Sequence, residues 1–90
     1  MLTPAERKAL KAKAHQLDPV VHIGEKGLTE PVIAEIDRAL RSHELVKVRA
    51  AALDRKSREQ AFETISSRTQ AEAVQHIGKV FVLYRKKNDE

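Results

Sequence analysis

The chain has no cysteine and no tryptophan, three glycines and three prolines, and its aromatic content is Phe62, Phe81 and Tyr84. Without thiols there is no disulfide scaffold, no thiolate nucleophile and no sulfur-based zinc site, so a metal would have to rely on His and carboxylates. With so few rings, two of them expected in the core, an aromatic sheet on which bases stack is poorly supported. No run approaches the roughly 18 apolar residues of a membrane helix. The opening Met1-Leu2-Thr3-Pro4-Ala5-Glu6-Arg7-Lys8 carries charge too early for the apolar stretch of a secretory signal. Glu6 and a short apolar stripe also favour a first structural helix over a basic presequence. The expectation is a cytoplasmic protein that does not associate with membranes.

What is present is charge. Of the 90 residues, 33% are charged and 41% hydrophobic, and 17 Lys and Arg against 13 Asp and Glu leave a net charge of +4. The pI near 9.6 leans toward an anionic partner. A chain this short buries only roughly 60–65% of its unfolded surface, so one small core is expected and a large enclosed substrate cavity would compete with it. We expect a single domain over residues 1–85 and a short polar tail over 86–90.

Thr3-Pro4 with Glu6 reads as a capping box with proline in the first turn, opening a helix expected to run to about Leu17 before Asp18-Pro19 stops it. Leu10, Ala14 and Leu17 fall on one side of it; Arg7, Lys8, Lys11 and His15 form a basic stripe on the other. Val20 to Ile23 reads as a short buried strand ending at Gly24. Thr29 caps a second helix with the apolar arc Val32, Ile33, Ile36, Ala39, Leu40 and His43, while Glu35, Asp37, Arg38 and Arg41 face water. Leu45 to Ala50 alternates as a strand with Lys47 and Arg49 on one face. Asp54 caps a third helix with the stripe Ala61, Phe62, Ile65 and Thr69. Ala73 to Ile77 and Val80 to Arg85 then form an antiparallel hairpin across Gly78-Lys79, pairing Ile77 with Val80 and His76 with Phe81 in a type II′ turn. The order α-β-α-β-α-β-β predicts an α/β domain with a four-stranded mixed sheet and two helical crossovers. The side taken by the first helix stays open.

The chemistry concentrates in Gly24-Glu25-Lys26-Gly27. A strand-to-helix turn there presents backbone N–H groups at the positive end of the second helix, two glycines allow close approach, and Lys26 adds a point charge. KH domains clamp a nucleic-acid backbone with a loop of this GxxG form. Taken alone, the spacing fits a tight turn better than a phosphate clamp. It is neither a Walker A motif nor GxGxxG, so nucleotide hydrolysis is not expected. His15, His22, His43 and His76 lack metal-ligand spacing, although His22 and His76 could meet across neighbouring strands. Ser57, Ser66 and Ser67 sit in no nucleophile elbow. Neither a cofactor, a metal nor a catalytic constellation is expected.

In sequence order, Leu2-Thr3, Leu10-Lys11, Ala14-His15, Leu17, Pro19-Val20 and Ile23-Gly24-Glu25-Lys26-Gly27-Leu28-Thr29-Glu30 are followed by Ala39-Leu40 and His43-Glu44-Leu45-Val46-Lys47-Val48. Ile77-Gly78-Lys79 and Val82-Leu83-Tyr84-Arg85 close the series. Over nearly its whole length the chain resembles a YhbY-type CRM domain, the chloroplast RNA splicing and ribosome maturation family. That resemblance implies the fold of the C-terminal domain of translation initiation factor three. It implies an RNA-binding protein on pre-ribosomal particles, whose partner is precursor large-subunit ribosomal RNA; the chain is expected to be non-catalytic and monomeric. It also implies RNA contacts at Gly24, Lys26 and Gly27, with Glu25 in the same loop, and a basic surface from Arg7, Lys8, Lys11 and His15 that Lys79 and Arg85 extend. The negative charge of Glu25 requires Lys26 to be the residue facing RNA. Where relatives often place a glycine after the third helix, this chain has Thr69-Gln70-Ala71. The rival expectation is an adaptor that docks on a protein through the hairpin edge or the Val80 and Val82 surface.

Overall fold

Residues 2–87 are described by a computed structural model. Thr3 opens α1 (Pro4–Ala14): its hydroxyl accepts the Glu6 N–H at 3.1 Å and the Glu6 carboxylate accepts the Thr3 N–H at 2.9 Å, a closed capping box. The helix ends short of Leu17. Gln16 and Leu17 donate to the carbonyls of Lys13 and Ala14, the tighter pattern of a fraying end, and the Leu17 carbonyl accepts from Lys47 Nζ at 3.0 Å. Leu17, expected beside Leu10 and Ala14 on the apolar side, is exposed.

β1 (Val21–His22) is flanked by two further ladder bonds, Val20 N–H to the Lys47 carbonyl and Ile23 N–H to the Arg49 carbonyl. In α2 (Glu30–His43), capped by Thr29, Ile33, Ile36 and Leu40 are buried. His43 was expected on that arc and is exposed, because its carbonyl end already turns away through Glu44 at φ 60°. β2 (Leu45–Arg49) and α3 (Arg55–Thr69), capped by Asp54, follow. Gln70 ends α3 in the left-handed conformation (φ 59°, ψ 30°) that glycine adopts most easily. β3 (Glu72–Ile77) and β4 (Val80–Tyr84) form the hairpin in the expected register, Ile77 opposite Val80 and His76 opposite Phe81. Gly78 has φ 56°, whereas Lys79 stays at negative φ, as a type II′ turn requires. Of the polar tail, residues 88–90 lie outside the described residues.

The sheet order is β1-β2-β4-β3, with β1 parallel to β2 and the other pairs antiparallel. This is the expected mixed α/β sheet. One face carries Val21, Val46, Val48, Phe81 and Leu83 against Ile36 and Leu40 of α2 and Ile65 of α3. The other carries Leu45, Val74 and Val82 against Ala14 and Leu10 of α1. The first helix therefore covers the face that the crossover helices leave open. β1 and β3 are opposite edges, so His22 and His76 cannot meet. His76 instead packs edge-on to Phe81, with ring centroids 4.8 Å apart, and beside Phe62 at 5.4 Å.

A bulge between Ala73 and Gln75 changes the phase of β3. Because side chains alternate with period two, the extra residue moves Gln75 and Ile77 onto the α1 face and His76 onto the α2/α3 face. The Arg7 guanidinium donates to the carbonyls of both Ala73 and Val74, pinning the bulge from α1.

Candidate functional site

Three chain turns meet at one end of the sheet. His22 lies opposite Arg49, Arg49 opposite Val80, and Val80 opposite Ile77, so the exits of β1 and β2 and the β3–β4 turn share that end. Two bonds tie them: Ile23 N–H to the Arg49 carbonyl at 2.8 Å and Ala50 N–H to the Lys79 carbonyl at 2.7 Å. The Gly24–Gly27 segment leaves β1 here and closes on itself, Gly27 N–H donating to the Gly24 carbonyl at 3.0 Å.

The two glycines are not equivalent. Gly27 has φ +77°, and a Cβ there would meet only Leu53 Cδ2 at an ordinary 3.9 Å, so glycine serves the backbone conformation. Gly24 has no left-handed φ, and a Cβ there meets nothing within 4 Å. Glu25 and Lys26 form an exposed tip, and among the described residues neither has a hydrogen-bond partner. This geometry changes the expected source of N–H groups. α2 begins only at Glu30, Pro31 has no N–H, and Thr29 Oγ1 accepts the Val32 N–H at 3.4 Å. Glu30 itself holds Arg68 in a bidentate pair at 2.7 and 3.0 Å, and that bond holds its carboxyl below the usual carboxylate range. Pro31 and the Thr29 cap thus remove two of the first-turn donors of α2, and the amides of Glu25 and Lys26 at the loop tip are open.

Lys26, Arg49 and Lys79 are exposed at this end, and among the described residues none touches a carboxylate. On the α1 face next to them, His22 and Arg49 share a row across the sheet, and Lys47 sits one step back. The C-terminal end of α1 brings Lys11 and His15 against Lys47. Lys8 is exposed farther back on α1. His22, Lys47 and Arg49 add to the polar surface at this end and were not among the expected contacts. Their signal was the alternation in Leu45-Val46-Lys47-Val48-Arg49, which places both cations opposite the buried face.

Two of the residues expected to meet RNA are engaged within the fold. Arg7 is half-buried and braces the β3 bulge. The Arg85 guanidinium donates to Asp37 Oδ1 at 2.6 Å, to the Asp37 carbonyl at 3.1 Å and to the Thr69 carbonyl at 2.7 Å, locking α2 to the end of α3. It also lies at the far end of β4 from Lys79. Asp37, expected to face water, is half-buried, and the Arg85 hydrogen bond holds its carboxyl below the ordinary range against the opposing effect of burial. Both guanidiniums hold main-chain carbonyls far along the chain, and sequence periodicity does not register such partners.

Among the described residues no group of three or more His and carboxylate side chains is placed to hold a metal ion, and no helix is long and apolar enough to cross a membrane. Residues 2–85 match the model of the CRS1/YhbY (CRM) domain. The chain belongs to that family. Its CRM domain is 46% identical over 84 residues to an RNA-binding protein of Haemophilus influenzae, covering 93% of this chain and 85% of that one. A probable RNA-binding protein of Pseudomonas aeruginosa is 41% identical over 85 residues, covering 94% of this chain and 82% of its own. The solution structure of a Staphylococcus aureus protein superposes on this CRM domain with a TM-score of 0.85 at 36% identity, covering 99% of this chain and 93% of the other.

Proposed function

We propose that this protein is a non-catalytic RNA-binding factor that grips an RNA backbone with the sheet end built from the 24–27 loop, Arg49 and Lys79. The observation that carries the reading is the convergence there of cations from two turns and the end of β2, none paired with a carboxylate among the described residues. Lys26 supplies charge at the loop tip, the amides of Glu25 and Lys26 offer donors to phosphate oxygens, and Lys11 and His15 widen the surface from α1. Arg7 and Arg85 are left out. The names of the relatives support RNA as the partner, and the CRM resemblance supports precursor large-subunit ribosomal RNA, bound on a cytoplasmic pre-ribosomal particle by a monomer.

The test is equilibrium binding to a deproteinised large-subunit ribosomal RNA fragment across a salt series. Engagement of about four to six phosphates gives a log–log slope of about −3 to −5 through counterion release. A flat salt response, or no binding to RNA stripped of protein, overturns the mechanism and favours a protein partner.

A further inference from the structure

The α1 helix stops before it has covered the hairpin. Beyond Ala14 the sheet lies open, leaving a groove of about 210 Å³ between the end of α1 and the outer end of β3 and β4. Its floor is aliphatic, formed by Ile77, Val80 and Val82, and Ile77 is 56% exposed. Its walls are polar and carry two positive charges, with Lys11 and His15 on one side and Lys47 behind. Gln75 stands at the rim, and its side-chain amide has no hydrogen-bond partner among the described residues. An apolar floor flanked by two lysines does not suit an aliphatic peptide, since the ammonium groups would be desolvated without a counter-charge. It suits a flat ring carried on an anionic backbone. The volume lies below the roughly 300–1,000 Å³ of pockets that enclose drug-sized ligands, so it takes one ring rather than a whole cofactor.

We propose that this groove receives one unpaired nucleobase of the RNA held at the loop end. The base face lies on Ile77 and Val80, the adjoining phosphates meet Lys11 and Lys47, and the Gln75 amide, both donor and acceptor, addresses the base edge. The proposal rests on the RNA-grip reading above and adds that the bound RNA has an unstacked nucleotide, from a single strand or a bulge. Gln75 and Ile77 face the groove only because the β3 bulge shifts their phase, so Arg7 acts as a positioning residue for the pocket.

The experiment compares fluorescence-anisotropy titrations of the full chain with three RNA probes of equal phosphate number: a single-stranded 12-mer, a matched duplex, and the single strand with abasic sites. Wild type should bind the single strand more tightly than either other probe, by about fivefold to tenfold, the scale of one partly buried aliphatic contact. Ile77→Ser and Gln75→Ala should each lower single-strand affinity toward the abasic value while leaving duplex affinity and the salt slope unchanged. Ile77 is mostly solvent-exposed, and a thermal melt of each variant separates binding from folding. Equal affinity for single-stranded and abasic RNA, or equal losses on every probe, overturns the base pocket but leaves the backbone grip standing. Binding to none of the probes overturns both and directs the groove to a protein partner.

Discussion

Gly24 and Gly27 are identical in sequence terms, but the structure separates them, and a pair of substitutions exposes the difference. Gly24→Asp places a carboxylate at a position with no left-handed φ and no atom within 4 Å of the new Cβ, so folding stability should change by less than about 0.5 kcal/mol. Gly27→Asp must hold φ +77°, which costs a side-chain-bearing residue about 1 kcal/mol or slightly more. For a domain of this size that lowers the melting temperature by about 4–8 °C. The binding effect is electrostatic. A carboxylate about 6 Å from a phosphate in water is repelled by about 0.7 kcal/mol, so two flanking phosphates give about 1.4 kcal/mol, a tenfold loss at low salt. Urea unfolding gives the stability arm and titration of the ribosomal RNA fragment gives the binding arm. Gly24→Asp should bind about tenfold more weakly with an unaltered unfolding midpoint, the gap closing as salt rises. Full affinity in a folded Gly24→Asp protein would refute the placement of the loop at the interface. A Gly27→Asp protein as stable as wild type would refute the conformational argument.

Arg49→Gln should weaken RNA binding at low salt and make the log–log salt slope about 0.7 to 0.9 shallower, the change expected when one fewer phosphate is neutralised. Gln70→Gly should raise stability by about 0.5–1 kcal/mol in urea unfolding, since the αL cap at φ 59° favours glycine even after the larger unfolded-state entropy is charged against it. Asp37→Asn should destabilise by about 2 kcal/mol, because Arg85 keeps its carbonyl acceptors but loses its counter-ion. The folded-state pKa of Asp37 is depressed, so its contribution is present above the ordinary carboxylate value near 4 and fades as pH falls below it. Stability of Asp37→Asn should accordingly fall less than that of wild type between pH 5 and 3, as read by thermal melts.

The elements were legible where one local rule decided them. Thr3 with Glu6, Thr29 and Asp54 each cap a helix within their own first turn, and Gly78-Lys79 sets the hairpin register through the twist of two flanking strands. Less legible were features that depend on a distant partner. Past Ala14 the chain tightens and the Leu17 carbonyl accepts from Lys47, and Asp37 is half-buried against Arg85, far along the chain. The candidate site divides along the same line. Lys26 and Lys79 stand in turns that any reading of the chain marks as exposed, whereas Arg7 carries the same charge in the same helical stripe as Lys8 and is drawn off to two strand carbonyls. His22, Lys47 and Arg49 were less legible as part of that end, because strand alternation shows that a residue leaves the core, not which uncovered surface it joins.

By itself the sequence determined the order of elements, their caps and the pairing of the hairpin, since hydrophobic period, capping chemistry and turn type act over a few residues. Tertiary structure alone decided that α1 takes the second face of the sheet and stops short of its end. It also decided that β3 changes phase at a bulge pinned by Arg7, and that cations from two turns and the end of β2 gather at one end. These outcomes depend on which buried carbonyls and uncovered apolar surfaces remain once the strands have paired, and they follow from satisfying those groups across the chain rather than along it.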